Sequence, residues 1–159
     1  MLRIALGVLA GVLTVGAASA ERPPAQQTPA SPAPAAQAAK NPYIFSGDAA
    51  MTLNFIKADK TADFEMVIGR LKEALAKSTK PERQQQAASW KVFKAAEPGA
   101  NGSVLYVSIV DPVVKGADYT VSTILNEAFP TEVQALYKTY SECYVSQNII
   151  NLNLAANLK

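Results

Sequence analysis

Hydrophobic residues recur at helical spacing in one stretch of the chain, between residues 61 and 77. Five of them fall at i, i+3, i+4, i+7 and i+11, which places them on one side of an α-helix. Thr61 can cap the start of such a helix, and Asp63 brings a negative charge into its first turn. We therefore predict the main amphipathic helix from about residue 62 to residue 77. Its apolar stripe consists of Phe64, Val67, Ile68, Leu71 and Leu75.

Alternation of apolar and polar residues predicts the strands. A first strand covers residues 49–57, a second residues 90–95 and a third residues 104–110. Turn residues between positions 98 and 102 predict a hairpin between the second and third strands. The third strand carries apolar residues on both of its sides, as expected of a central strand. One side carries Leu105, Val107 and Ile109, and the other carries Val104, Tyr106 and Val110.

Shorter helical segments and a last strand complete the pattern. Pro81 favours the start of a short polar helical turn that runs through Gln86. Asp118 can cap a second major helix, which Pro130 interrupts before the helical pattern resumes and continues to Cys143. A final, edge-like strand is predicted where Ile150, Leu152 and Leu154 alternate with asparagines.

The resulting order is strand, helix, strand, strand, helix, strand. This βαββαβ order predicts an α+β, ferredoxin-like fold, with a four-stranded antiparallel sheet and its first and third strands in the centre. Two helices cover only one face of such a sheet, so the other face needs a partner, most economically a second copy of the chain. We predict a homodimer that pairs through the helix-free face, and we expect Val104, Tyr106 and Val110 to lie in that interface.

Residues 57–65, 89–94 and 104–109 resemble the dimeric α+β barrel superfamily, in particular the antibiotic-biosynthesis-monooxygenase and stress-responsive barrel families. The resemblance covers about residues 49–155. It implies that two ferredoxin-like subunits pair sheet to sheet and enclose a cavity. Some members of this group oxidise polyphenols or degrade haem. The haem-degrading members use a His ligand, and this sequence contains no His, which argues against that activity here.

The N-terminal quarter of the chain has the composition of an export signal and a spacer. Arg3, an apolar stretch over residues 4–18 and the sequence Ala18-Ser19-Ala20 predict a signal peptide, residues 1–20, that is cleaved after Ala20. Residues 21–41 are rich in Pro and Ala and predict a disordered linker, and residues 42–159 form the folded domain. The expected location is periplasmic or secreted, with no membrane span after cleavage.

Charge and residue usage exclude several classes of chemistry. Fifteen basic against thirteen acidic residues give a net charge of +2 without basic clusters, so we expect no nucleic-acid partner. Without His and with one Cys, the chain lacks the residues for a Ser-His-Asp triad, a Cys-His pair or a zinc site of N and S ligands. The carboxylates of Asp59 and Asp63 fit a turn and a helix dipole better than a cation site. The sequence predicts neither a metal site nor a cofactor, and Cys143 is expected to be a buried thiol.

Four residues are the candidate ligand-binding set: Asn54, Trp90, Tyr106 and Ser108. We expect them to share the sheet face away from the helices, where aromatic stacking and a few hydrogen bonds would orient a planar ligand. Packing in the core or in the dimer interface is the alternative for Trp90 and Tyr106. Helical spacing also favours packing for Tyr137, Tyr140 and Tyr144.

Three functions fit these features. The first, which we favour, is an exported homodimeric barrel protein that binds a small apolar or aromatic molecule or acts as an interaction module. The second is a cofactor-independent, monooxygenase-like enzyme that acts on an aromatic substrate. The third is an envelope protein whose linker presents the domain to another protein.

Overall fold

The computed structural model describes residues 40–158. The predicted signal peptide, residues 1–20, lies outside the described residues, and so do residues 21–39 of the predicted linker. Both segments therefore stay predictions. No helix in the described part of the chain is long and apolar enough to cross a membrane. The strands are β1 (Ala49–Ile56), β2 (Trp90–Pro98), β3 (Val104–Val110) and β4 (Tyr144–Leu152). The helices are α1 (Thr61–Lys77), α2 (Pro81–Ser89), α3 (Val121–Ala128) and α4 (Val133–Cys143).

The four strands form one antiparallel sheet in the order β2-β3-β1-β4. β1 and β3 therefore occupy the centre, as the sequence predicts. The element order and the sheet order together are those of the ferredoxin-like α+β fold. The predicted break at Pro130 is confirmed, because it separates α3 from α4, and the predicted polar turn at Pro81 is the helix α2.

The two faces of the sheet follow from strand register. On β1 and β3 the buried positions alternate with half-buried ones, and the buried ones pack against the helical side. Opposite this helix-covered face lies a second one, which we call the open face. Its apolar residues are Met51, Leu53, Phe55, Phe93, Leu105, Val107, Ile109, Ile150 and Leu152.

The prediction that Val104, Tyr106 and Val110 lie on the helix-free face is wrong. Tyr106 and Val110 are buried, and all three belong to the apolar clusters on the helical side. The reason is that β3 is apolar on both sides, so its own alternation does not say which side the helices cover. Only the register with β1 decides this.

The apolar stripe of α1 forms the main core, as predicted. Val67, Leu71 and Leu75 are buried in one cluster. Residues of α3 and α4 complete that cluster, chiefly Ile124, Leu125, Phe129 and Leu136. Burial of several large aliphatic side chains supplies most of the favourable free energy of folding for a domain of this size.

Two predicted helix caps are wrong. Thr61 is the first residue of α1 rather than its cap, because a 3-10 turn, Ala58–Lys60, leads directly into the helix. Asp118 lies before α3, and its Oδ1 accepts a hydrogen bond from the backbone N–H of Thr120 at 2.8 Å instead of capping the helix. Asp63 does lie in the first turn of α1, where Lys60 pairs with it at 2.9 Å.

The last strand begins much earlier than predicted. β4 starts at Tyr144, immediately after α4, and ends at Leu152, so Leu154 lies beyond it. Residues 146–148 are polar and therefore lack the alternation that marks a strand in sequence. They form a strand nevertheless because they pair with β1 along its length.

An ion pair between a buried arginine and a partly exposed glutamate joins α2 to α3. Arg83 is buried, and its Nε and Nη2 donate to the two carboxylate oxygens of Glu127 at 3.1 and 2.9 Å. Its Nη1 donates to Gln86 Oε1 at 2.7 Å. The hydrogen bond from Arg83 lowers the pKa of Glu127 to about 2. The sequence shows this residue only as part of a polar helical turn, so its burial is a finding of the structure.

Replacing Glu127 with Gln should reduce the amount by which the free energy of unfolding falls as the solution becomes acidic. A carboxyl group whose pKa is depressed in the folded state stabilises the fold above its ordinary pKa, and this contribution disappears as the pH falls towards about 2. Urea unfolding between neutral pH and about pH 3 measures it. The exposed Glu97→Gln is the matched control. Equal acid sensitivity of Glu127→Gln and the wild type would contradict the role of this pair.

Cys143 should react slowly with thiol reagents in the native protein. Its side chain is fully buried beside Phe64 and Tyr106, and its Sγ donates to the Thr139 carbonyl at 3.1 Å. Burial raises the pKa of this thiol, so little thiolate forms at neutral pH. Labelling with and without denaturant measures the protection, and Ser141→Cys, at an exposed position of the same helix, supplies a fast-reacting reference. Labelling of native Cys143 as fast as in denaturant would show that the placement is wrong.

Candidate functional site

The four predicted site residues share one face of the sheet, but it is the helix-covered face. Asn54, Tyr106 and Ser108 lie at buried positions of the two central strands. Trp90 packs partly against the helical clusters at the start of β2. The predicted proximity is therefore correct, while the predicted position on the helix-free face is wrong.

Asn54 is the centre of a buried polar network. Its side chain is only 2% exposed, and its Nδ2 donates to the Tyr106 carbonyl at 3.1 Å and reaches Ser108 Oγ at 3.4 Å. Its Oδ1 accepts a hydrogen bond from Gln147 Nε2 at 2.7 Å. Gln147 lies opposite Asn54 on the neighbouring strand β4, so the register of β1 with β4 creates this contact.

Three tyrosine hydroxyls extend the network towards the surface. Tyr43, in the segment before β1, donates to Gln147 Oε1 at 2.6 Å. The hydroxyl of Tyr144 lies 3.4 Å from Asn54 Oδ1 and also contacts the hydroxyl of Tyr140. Burial raises the pKa of all three tyrosines. Their hydroxyls are therefore neutral hydrogen-bonding groups at neutral pH and not bases.

A small cavity lies between this network and the helices. Its volume is about 20 Å³, which is enough for one water-sized group. Asn54, Trp90 and Ser108 all line it, together with Thr52 and several apolar side chains. The structure thus brings three of the four predicted residues to one enclosed space.

An open groove of about 280 Å³ lies outside the cavity. Tyr43, Tyr140 and Gln147 line both spaces, so the cavity and the groove are neighbours. Tyr137, Tyr144 and Ser141 form other parts of the groove. In the described part of the chain, no charged side chain lines either space.

Trp90 carries an unusual buried donor. Among residues 40–158, its indole Nε1 has no hydrogen-bond partner although the atom is buried. A buried donor without an acceptor costs about 1–3 kcal/mol. Trp90 lines the cavity and also a second groove beside α1, and a hydrogen-bond acceptor placed in the cavity could satisfy this N–H group.

Tyr106 does not join the other predicted residues through its hydroxyl. That group donates to Glu65 Oε1 at 2.5 Å, and Lys94 Nζ lies 2.9 Å from the same oxygen. The hydrogen bond from Tyr106 lowers the pKa of Glu65. Only the backbone carbonyl of Tyr106 contacts the polar network.

Sequence reasoning missed Tyr43, Tyr140, Tyr144 and Gln147 as members of the site. Helical spacing favoured packing for Tyr140 and Tyr144, and both rings do pack against Phe64. Their hydroxyls have the additional polar role. A glutamine directly opposite Asn54 would have been a usable signal, but it requires the register of β4, which the sequence does not show.

The chemistry available at the site is that of neutral donors, neutral acceptors and aromatic rings. Within the described residues, no group of three or more His, Cys, Asp or Glu side chains is placed to hold a metal ion. Cys143 does not line the cavity or the groove. The arrangement can bind and orient an uncharged molecule, and it offers no side chain that ionises near neutral pH for proton transfer.

Comparisons with known proteins show no family for this chain. No protein-family model matches the chain, and a search of curated proteins gave no match. Among solved structures, the chain is similar to one described as a dimeric ferredoxin-like protein of unknown function from Thermobifida fusca YX. The identity is 14% and the TM-score 0.32, over 67% of this chain and 91% of that one. Likeness at this level carries no argument about assembly or activity, and the resemblance to the monooxygenase-like families stays a prediction. The element order and sheet order of the described residues establish a ferredoxin-like α+β domain.

Proposed function

We propose that the protein is an exported, homodimeric ferredoxin-like module whose protomers pair through the open face. The supporting observation is the composition of that face. Phe93, Val107 and Leu53 form one continuous row across three strands, and Ile109, Met51 and Ile150 form the next. Such a surface is unfavourable in water and favours burial against a partner.

The size of the open face is consistent with part of a dimer interface. Four strands about 4.8 Å apart and about seven residues long, at about 3.3 Å per residue, give a surface of about 440 Å². A stable interface takes about 800 Å² from each partner. The sheet therefore supplies about half, and the segment after β4, with exposed Leu154 and Leu158, is available to extend it.

A second copy of the chain is the partner that this surface favours. The open face is apolar with few polar positions, among them Lys91 and Asn148. It offers no pattern of charge that would select a complementary partner. An apolar sheet is complementary to itself across a two-fold axis, and two such sheets pack about 10 Å apart.

Light scattering of the protein purified from its producing cells tests the assembly. We expect a mass twice that of the mature chain at micromolar concentration. A monomer that is folded and stays soluble under the same conditions would overturn the homodimer. Co-purification with a different protein at equal stoichiometry would overturn the choice of a second copy as the partner.

The proposed export depends on the N-terminal sequence alone. Arg3, the apolar residues 4–18 and Ala18-Ser19-Ala20 form a signal peptide, so the mature protein should begin at Glu21. Its location would be periplasmic or extracellular. Intact mass of the purified protein should show the loss of residues 1–20, whereas a full-length chain in the membrane fraction would contradict this.

A second role, binding of a small molecule by the helix-covered cavity, is favoured by Trp90. Its Nε1 has no hydrogen-bond partner among the described residues, and the residue lines a small, mainly apolar space together with the polar side chains of Asn54 and Ser108. Native mass spectrometry of the same preparation tests this role. A retained small molecule supports it, and protein that carries none from any producing condition argues for an interaction module alone.

A further inference from the structure

We infer that the cavity and the tyrosine-lined groove form one binding site for an uncharged, planar molecule that presents a hydrogen-bond acceptor to Trp90 Nε1. This inference rests on the small-molecule role proposed above and specifies the ligand class and the route of access. Three properties of the described residues support it: the side chains that the two spaces share, the absence of charge in their lining, and a buried donor without an acceptor.

The two spaces are neighbours that share three lining side chains. These are Tyr43, Tyr140 and Gln147, and the Tyr43 hydroxyl donates to Gln147 Oε1 at 2.6 Å. The backbone of Tyr43 is fixed, because its carbonyl accepts the N–H of Tyr119 at 3.0 Å. In the inferred site, rotation of the Tyr43 side chain about this fixed backbone joins the cavity to the groove.

The lining excludes charged ligands. None of the residues that line the cavity or the groove is acidic or basic. A carboxylate or an ammonium group that entered would lose its hydration without gaining a counter-charge, which is strongly unfavourable. An uncharged molecule avoids this cost.

The hydrogen-bonding groups select an acceptor on the ligand. Trp90 Nε1 can only donate, and it has no acceptor among the described residues. Tyr140 and Tyr144 share one hydrogen bond between their hydroxyls, and when Tyr144 donates to Tyr140, the Tyr140 proton is available to a ligand. A ketone, lactone, ester or quinone oxygen supplies the acceptor that these donors require.

The aromatic walls favour a flat molecule. The ring centroids of Tyr140 and Tyr144 lie 5.0 Å apart, and the two rings are nearly perpendicular to each other. Tyr137 is half exposed at the groove. Aromatic rings bind flat ligands by stacking and edge contacts, which add to the free energy from area burial. A planar ring system in the groove can direct one oxygen past Tyr43 into the cavity.

Three probes of similar shape test the ligand class on the purified mature protein. Coumarin is planar, uncharged and carries a carbonyl acceptor; naphthalene lacks the acceptor; and coumarin-3-carboxylate carries a charge. Calorimetry should show coumarin binding about tenfold more tightly than naphthalene, the ratio expected for one hydrogen bond. Coumarin-3-carboxylate should not bind. Trp90 is the only tryptophan, so its indole N–H signal is identified directly by NMR and should shift with coumarin.

Two variants test whether the Trp90 donor causes the preference for coumarin over naphthalene. Trp90→Phe keeps an aromatic ring and removes the donor, so the ratio between coumarin and naphthalene should fall to about one. Tyr106→Phe is the matched control, because it removes a buried hydroxyl that contacts Glu65 outside the cavity, and it should keep the ratio. Circular dichroism checks the fold. If Trp90→Phe does not fold, the shift of the Trp90 indole N–H signal in the wild type alone tests the inferred contact with the ligand.

The outcomes separate this inference from the role on which it rests. Coumarin binding with an unchanged Trp90 N–H signal and an unchanged ratio in Trp90→Phe would overturn the inference and leave small-molecule binding intact. Binding of coumarin-3-carboxylate as tight as that of coumarin would also overturn it. Failure of all three probes overturns the ligand class, while native mass spectrometry independently tests whether any small molecule is bound.

Discussion

A glutamate in place of Val107 should convert the homodimer into a folded monomer. Val107 lies in the middle of the open face, opposite Leu53 on one neighbouring strand and Phe93 on the other. In a two-fold interface each protomer would bring one carboxylate into an apolar contact, where desolvation and mutual repulsion cost several kcal/mol. The dissociation constant should rise at least about a thousandfold, equivalent to about 4 kcal/mol. Light scattering measures the mass, and circular dichroism confirms the fold.

Ala76→Glu is the matched control for this variant. It introduces the same charge at an exposed position of α1, on the opposite side of the domain from the open face, and should leave the dimer intact. Val107→Glu that stays dimeric would place the interface elsewhere. Tyr106→Glu would not be a useful test, because Tyr106 faces the helices and its replacement would damage the core.

Replacing Leu71 with Ala should cost about 2–5 kcal/mol of stability. Leu71 is 3% exposed and lies in the middle of the α1 stripe, within the cluster that joins α1 to α3 and α4. Its truncation removes apolar contacts and leaves a cavity that rigid neighbours fill only in part. The adjacent Lys72 is exposed, so Lys72→Ala should change stability by less than about 0.5 kcal/mol.

Denaturant unfolding of the two variants gives a direct comparison. A large difference between them confirms which face of α1 is inward. Equal costs would mean that the core does not depend on this stripe. In an obligate dimer the comparison is made at one protein concentration, because the apparent stability includes association.

The sequence predicts the elements of this fold well because their signals are local. The stripe of α1 and the alternation of β1 depend on residues a few positions apart, and turn residues mark the hairpin between β2 and β3. The orientation of β3 is not local. Both of its faces are apolar, so the register with β1 is needed to decide that Tyr106, and not Val107, faces the helices.

The candidate site shows the same limit. Asn54, Trp90 and Ser108 line one cavity, because neighbouring strands bring them together. Tyr43 and Gln147 are separated by 104 positions, and no local pattern links them. Gln147 also lies in the part of β4 that lacks alternation, so its strand position appears only in the folded domain.

Oxidation of two methionines by hydrogen peroxide tests the central claim most directly. Met51 lies on the open face, whereas Met66 is 46% exposed on α1, so the domain contains its own reference. Peptide mass spectrometry of the wild type should show Met66 oxidised at least about tenfold faster than Met51, because the second protomer covers Met51. In the Val107→Glu variant, the oxidation rate of Met51 should rise towards that of Met66. Equal rates for the two methionines in the wild type would contradict a homodimer paired through the open face.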